Sequence, residues 1–188
     1  APPGNIGYFF DGIPVPLLFH VGAGPGVIPA GLVQGVDLHL GPYPASFGRL
    51  AGAVVDATAR PPNDDWRAEG VFRTVDIGGL VEAPLPNDAG SVLVGGHYAV
   101  GAEVLSALVP SVDLGYWDYQ GRASVKTSAT GRASVLAFGA YDYLASVDGD
   151  TRDVLLDSDF HRIDLRYDGE LPGGGKYRVA TMLGLDRS

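Results

Sequence analysis

The sequence has no cysteine and one methionine, and charged residues fill only 19% of its 188 positions. Without cysteine there is no disulfide framework, no thiolate metal site and no cysteine nucleophile. Positive charge is also scarce. Thirteen Lys and Arg stand against 22 Asp and Glu, a net charge of -9, so composition offers no basic face for nucleic acid. Long apolar runs are missing as well. The most apolar stretch, Ile13 to Val33, is broken by Pro14, Pro16, Pro25 and Pro29, whereas a membrane-crossing helix needs about 20 apolar residues in a row. Glycine is what abounds: its 28 residues are about twice the usual share.

The chain reads as two regions. Residues 1–62 are rich in Pro and Gly, and three pieces look like strands: Gly7–Phe10, Val33–Leu40 and Ala53–Thr58. Turn formers join them at Asp11-Gly12, Gly41-Pro42 and Gly48, and Pro29 to Val33 fits one helical turn with Pro29 at its start. From about Trp66 the pattern becomes strict alternation. Asp118, Gln120, Arg122, Ser124 and Lys126 share one face; Trp117, Tyr119, Gly121, Ala123 and Val125 share the other. A period of two means a strand with one polar and one apolar side. Seven such strands are expected, at roughly 67–74, 77–84, 91–101, 116–126, 133–143, 158–171 and 176–186.

The connections suggest what those strands build. Tight turns are expected at Pro86–Gly90, Ser128–Gly131 and Pro172–Gly175, with longer loops between them at about 102–115 and 144–157. An antiparallel meander with short turns at one rim and long loops at the other is the pattern of an outer-membrane barrel. Strands of ten or more residues suit a tilted crossing, while the usual strand has about five or six. Tyr116, Trp117, Tyr119, Tyr141 and Tyr143 are expected near one rim, where rings with a polar tip sit at headgroup depth. The apolar faces of the last strands carry one ionisable exception, His161, expected at a strand end. The competing reading is a soluble or surface-attached β-sandwich, a binding module for carbohydrate or calcium.

Residues 8–60 carry a resemblance. YFFDGIPVP (Tyr8 to Pro16), followed by VQGVDLHLGPYPASFGRLAGAVVDATAR (Val33 to Arg60), resembles the plug domain of TonB-dependent outer-membrane receptors. The ordered set is Asp11-Gly12-Ile13-Pro14, then Leu40-Gly41-Pro42, then Tyr43 to Gly48, then Ala51 to Val55. The resemblance implies an all-β chain: a partial antiparallel transmembrane β-barrel of about seven strands, preceded by part of a plug. Residues 1–62 would be the C-terminal part of the plug, and 63–188 the first barrel strands. It implies a transporter that binds and imports a scarce substrate such as a siderophore, a cobalamin or a carbohydrate. It also implies the bacterial outer membrane and its lipid as surroundings, and the inner-membrane TonB complex as partner through a segment outside this sequence. Family barrels have about 22 strands, and an unclosed sheet in lipid leaves edges of unpaired backbone, so a piece of a longer receptor is expected.

Few residues stand out as site candidates. In such receptors apical plug loops help form the substrate site, and Leu17 to Pro29 is the segment placed for that. Phe19 can stack on a ligand, and His20 can hydrogen-bond or ligate. Plug Arg49 is a candidate partner for the wall carboxylate Glu82. Asp118, Arg122, Lys126, Arg162, Asp164, Arg166, Asp168, Arg178 and Asp186 are expected to face the lumen. No catalytic constellation, metal site or cofactor is expected, since HExxH and GxSxG are both lacking. Asp159 and His161 share a face without defining a site. Asp148 to Asp159 departs from a calcium loop at Arg152 and Asp153, and Pro172 to Lys176 is a turn rather than a phosphate loop.

Overall fold

The computed structural model describes residues 6–22, 24–44, 47–48, 52–101, 109 and 111–188. The chain divides into two compact units, Ala1–Pro61 and Pro62–Ser188. The first holds a four-stranded sheet of β1 (Gly7–Phe10), β2 (Ile13–Pro14), β3 (Val33–His39) and β4 (Val54–Ala59), in the order β2-β1-β4-β3. β1 and β2 form a hairpin over Asp11-Gly12, both at positive φ (56° and 82°). That is the mirror-image turn whose twist matches the flanking strands, and Asp and Gly tolerate it best. β1 then pairs in parallel with β4, and β4 antiparallel with β3. A single 3-10 turn at Ala30–Leu32 follows Pro29 and drops Leu32 into the interior with Phe10, Ile13, Val15, Val27 and Val54.

The second unit is one antiparallel sheet of seven strands in sequence order. They are β5 (Arg67–Phe72), β6 (Ile77–Pro84), β7 (Gly90–Tyr98), β8 (Val112–Lys126), β9 (Arg132–Asp148), β10 (Thr151–Glu170) and β11 (Lys176–Arg187). Each expected strand is present, and the sheet does not close on itself: β5 and β11 are its edges. The turns at Pro86–Asp88 and at 171–175 use the left-handed region, through Asn87 and Asp88 (φ 58° and 54°) and through Gly173 and Gly174 (104° and 87°).

Three expectations need correction. The loop expected at 144–157 is strand: β9 and β10 stay paired out to Asp148↔Thr151 and reverse over Gly149-Asp150 alone. A bulge at Leu155 absorbs one residue so that Leu144 still meets Leu156. His161 consequently lies in the middle of β10. Tyr116 does not join the other rings. It points to the opposite face, where it is buried and donates its hydroxyl hydrogen to Asp76 Oδ2 at 3.1 Å.

One glycine is dictated by a close approach. A Cβ at Gly78 would stand 2.0 Å from His97 Cδ2 and 2.7 Å from the Gly96 carbonyl oxygen, so the imidazole lies where a side chain would begin. Gly78→Val is expected to lower stability by about 1–3 kcal/mol, read as a drop in the unfolding midpoint. A midpoint equal to that of the parent protein would show that His97 moves aside at no cost.

Candidate functional site

The seven-stranded sheet is amphipathic in the reverse of the usual sense. Its alternate residues form rows across the strands, because directly paired residues in antiparallel neighbours share a face. One row runs Glu82–Leu93–Arg122–Leu136–Asp164; the next runs Leu80–Gly95–Gln120–Phe138–Arg162. The charged residues of these rows are buried: Glu82 is 0% exposed, Asp164 3% and Arg162 4%. The rows on the other side are apolar and open. Val94 is 64% exposed and Leu183 67%, with Val81, Val92, Ile163, Leu165 and Val179 also exposed.

The buried face is a connected polar wall. Arg122 Nη2 donates to Glu82 Oε1 at 2.8 Å, reaching across β7 over Leu93. Two strand spacings make that span about 9.6 Å at the backbone, a distance that only two long side chains close. Glu82 Oε1 also accepts from Ser91 Oγ (3.3 Å) and from the Asn63 backbone N–H (3.0 Å). Two rows along, His97 Nδ1 lies 2.9 Å from Asp118 Oδ2, and Asp118 Oδ1 accepts from the His97 backbone N–H and from Gln120 Nε2. At the Tyr116 end, Arg73 Nη1 donates to both oxygens of Asp76. Arg166 Nε donates to Asp164 at 2.7 Å, and Arg162 pairs with Asp186 at 2.7 Å while its guanidinium lies 5.4 Å from the centroid of the Phe160 ring. The polar side chains expected to share a face in β8 and β10 do so, and the wall matches its charges internally.

The open face is bordered by rings at both ends. At one end Trp117 stacks on Tyr141 (centroids 6.0 Å apart), beside Tyr119 and His161, whose Nδ1 is 3.1 Å from the Tyr119 hydroxyl. At the other end Tyr167 meets Tyr177 at 6.1 Å. Tyr167 shares its row with Val125 through Ala133. Along β8 the two belts are therefore as far apart as Trp117 and Val125. That is about 27 Å at 3.4 Å per residue, or about 21 Å along the axis of a barrel whose strands tilt by roughly 40°. Between these rows the outward face of β6 to β11 carries no Asp, Glu, Lys or Arg among the described residues. The belt at the Tyr167 end was not read from the sequence. Tyr167 and Tyr177 are ten positions apart, and only the β10–β11 register brings them together.

The remaining candidates fall in the first unit. Phe19 and His20 lie on the loop between β2 and β3, where Phe19 bridges to Gly26 and His20 opens a short 3-10 turn. His20 holds the loop through its backbone, donating N–H to the Pro25 carbonyl (2.9 Å) and accepting from Gly24 N–H (2.7 Å). Its side chain is fully buried, whereas Phe19 is 46% exposed. In this conformation Phe19 is the member of the pair that a ligand can touch. Arg49 lies outside the described residues; Glu82 is matched within its own sheet by Arg122. Asp56 sits directly across from Asp37 in the β3–β4 pair, with Oδ1 buried and without a hydrogen-bond partner among the described residues. Burial pushes its carboxyl above the ordinary carboxylate range, and Asp11 and Asp37 push the same way. In the second unit Lys126 Nζ donates to Asp64 Oδ2 at 2.7 Å and holds that carboxyl below the ordinary range. No group of three or more His, Asp or Glu side chains is placed to hold a metal ion among the described residues.

No family model and no curated protein sequence matches the chain. Its fold does have a counterpart among solved structures: the siderophore receptor PirA from Acinetobacter baumannii, with a TM-score of 0.69 and 15% sequence identity. The likeness covers 97% of this chain and 32% of the receptor, so the chain spans about a third of that protein's length. The architecture is thus all-β, an open antiparallel sheet of seven strands with the fold of a receptor barrel.

Two outcomes follow from the charges. Glu82→Leu leaves the Arg122 guanidinium buried without its carboxylate, which is expected to cost about 3–5 kcal/mol. The double variant Glu82→Leu with Arg122→Leu should recover most of that loss in equilibrium unfolding. Equal losses from the single and double variants would mean the pair is not coupled. For Asp56, a folded-state carboxyl raised above its unfolded value makes stability rise as pH falls through that interval. Asp56→Asn should therefore raise the first unit's unfolding midpoint at pH 7 and flatten its rise toward acid; an unchanged pH profile counts against the assignment.

Proposed function

We propose that this chain is part of a TonB-dependent outer-membrane receptor, with residues 1–62 as the C-terminal part of its plug and 63–188 as the first seven strands of its barrel. The observation that carries the reading is the seven-stranded sheet turned inside out. Glu82, Arg122, Arg162 and Asp164 are buried and paired on one face, the other face is apolar and exposed, and two belts of rings border it about 21 Å apart. An apolar band about 25 Å tall between aromatic girdles is what a barrel presents to hydrocarbon. No helix of the described residues is long and apolar enough to cross a membrane, and a barrel needs none.

The work of such a protein is capture and passage of a small molecule, carried by binding and rearrangement rather than by covalent chemistry. A siderophore is the substrate class favoured, because the structural counterpart is a siderophore receptor; cobalamin and carbohydrate are the other classes the resemblance allows. Phe19, on the exposed side of the β2–β3 loop, is the residue proposed to touch substrate, with His20 buried beneath it as the loop's anchor. The energy source in this reading is the inner-membrane TonB complex, and the surroundings are outer-membrane lipid.

The discriminating experiment places a charge in the band. Val94→Arg in the full-length protein is expected to cost about 2–4 kcal/mol of membrane stability and to deplete the heat-modifiable, detergent-requiring form in outer-membrane fractions. Thr130→Arg, in the turn between β8 and β9, should be tolerated. Parent protein released from membranes by salt alone, or a Val94→Arg variant that inserts normally, would overturn the assignment.

A further inference from the structure

We propose that the seven-stranded sheet carries a saccharide site where β7 leaves β8. It is a cleft that takes one neutral pyranose ring, with Tyr98 and Trp117 against the ring's C–H face and the Leu114 backbone on its hydroxyls. The inference rests on the membrane reading only for the compartment the cleft faces. β7 ends at Tyr98, directly opposite Trp117, while β8 extends to Val112, paired there with β9 alone among the described residues. The departure is built in. Ala99 N–H still donates to the Tyr116 carbonyl at 3.0 Å. Val100 N–H then turns back to the Tyr98 carbonyl, and Gly101 N–H crosses to the Val75 carbonyl, both at 3.0 Å. A Cβ at Gly101 would stand 2.6 Å from Val75 Cα, so the chain is drawn against that segment and away from β8.

That departure bares backbone. Alternate residues of an antiparallel strand turn both N–H and C=O toward the same neighbour. The Tyr116 carbonyl addresses Ala99, whereas the Ser111 carbonyl addresses β9, accepting from Val147 N–H at 2.9 Å. Even-numbered residues of β8 therefore face the β7 side. Val112 N–H is taken by the Val109 carbonyl at 3.0 Å, and Leu114 N–H and C=O meet no partner among the described residues. The gap is a cleft of about 580 Å³, bordered by Tyr98, Val100, Leu114, Gly115, Trp117 and Tyr141, within the span of small-ligand sites, about 300–1,000 Å³. Tyr98, Trp117 and Tyr141 form one outward row. Gly115 is the next residue on that face of β8, and a Cβ there would meet nothing within 4 Å, so the space beside Trp117 is open.

These groups select the ligand. The residues bordering the cleft carry no formal charge, so an ion finds no counterpart. An acyl chain would cover the Leu114 amide and carbonyl without satisfying them, which is costly. An added peptide strand would find a ladder one residue long, because Tyr116 is engaged by Ala99 and Val112 N–H by Val109. A pyranose meets each feature. Its C–H face is apolar and suits the indole and phenol rings. Its hydroxyls both donate and accept, as Leu114 and the Tyr98 hydroxyl require. Depth agrees as well. Leu114 lies three residues beyond Trp117, about 10 Å along the strand and on the polar side of the belt. The short turns are at the opposite end of the sheet, the periplasmic end of a barrel, so the cleft opens to the cell exterior. A soluble saccharide and the sugar of a lipid headgroup supply the same ring.

The test is saturation-transfer NMR of the full-length protein in lauryldimethylamine oxide micelles. Methyl β-glucoside is the soluble probe, octyl β-glucoside the lipid-like one, and octyl triethylene glycol a chain without a ring. The glucoside is chosen because its equatorial substituents leave the C–H faces clear. Its ring protons should receive saturation. Gly115→Leu, which fills the cleft and leaves every ring and backbone group in place, should weaken binding by about tenfold, and Tyr98→Ala should weaken it several-fold. Binding of both glucosides, lost in Gly115→Leu, assigns a soluble saccharide; binding of octyl β-glucoside alone, lost in the same variant, assigns a glycolipid. Binding of neither glucoside, binding unmoved by both substitutions, or octyl triethylene glycol binding as well as octyl β-glucoside would each overturn the site. Those three results leave the membrane reading standing, whereas a parent protein absent from the membrane fraction overturns that reading alone.

Discussion

Period two along a strand binds the two faces of a sheet together: whatever the core side chains are, the others must suit the opposite medium. In the seven-stranded sheet the usual arrangement is exchanged. Glu82, Arg122, Arg162 and Asp164 are covered and paired, and valines, leucines and isoleucines of the other face are open. In water such a sheet would expose a continuous apolar area of the kind that soluble monomers rarely tolerate. In hydrocarbon the same area costs nothing, and the charges are on the side away from it. In the membrane reading proposed above, the belts at Trp117–Tyr141 and Tyr167–Tyr177 are the two depths where the medium changes. The strict absence of Asp, Glu, Lys and Arg between them follows from the same constraint.

The polar wall is not uniformly polar, and the mixture has a purpose that can be read residue by residue. Leu93 lies between Glu82 and Arg122 in one row, and Phe138 between Gln120 and Arg162 in the next. Leu93 excludes water beneath the longer Glu82–Arg122 pair, which strengthens that pair; Phe138, fully buried, separates Gln120, which donates to Asp118, from Arg162, which pairs with Asp186. The same exclusion makes a broken pair expensive, because the surviving ion is left buried. Thus the wall holds one arrangement firmly: Arg122 has Glu82 across Leu93, His97 has Asp118 opposite it, and Gly78 leaves the gap the imidazole needs. Such a wall is specific in shape and charge without relying on a dense hydrocarbon core.

How much of this was legible in the sequence depended on the range of the signal. The seven strands and their two faces came from alternation alone, a property local to each segment and indifferent to the surrounding medium. Asp11-Gly12 likewise declares its turn within two residues. Leu144 to Asp157 misled, because its Ser, Asp and Gly content has the composition of a loop; pairing with β8 and β10 holds it extended, and one bulge corrects the register. Closeness along the chain groups Tyr116 with Trp117, although adjacent residues of a strand face opposite ways. The Glu82–Arg122 pair was out of reach, since it spans 40 positions and depends on two successive registers. The Tyr167–Tyr177 belt is hidden for the same reason. The burial of His20 depends on how the β2–β3 loop folds over its own backbone, which no spacing announces.

The membrane reading carries a requirement of its own. β5 and β11 each present one edge with backbone groups that no strand of this sheet satisfies, and every residue of β11 is exposed. In hydrocarbon each unpaired N–H or C=O costs several kcal/mol, so a dozen residues of open edge would outweigh the stability of an ordinary domain. Charged or bulged edges are how soluble sheets avoid unwanted pairing. β11 has neither in its middle: Val179, Ala180, Thr181, Met182 and Leu183 run flat and uncharged between Arg178 and Asp186. An edge of that kind is built to be paired. Further strands must therefore continue the sheet from both sides wherever it lies in lipid, and a likeness covering 32% of a receptor's chain is the scale of structure from which such strands would come.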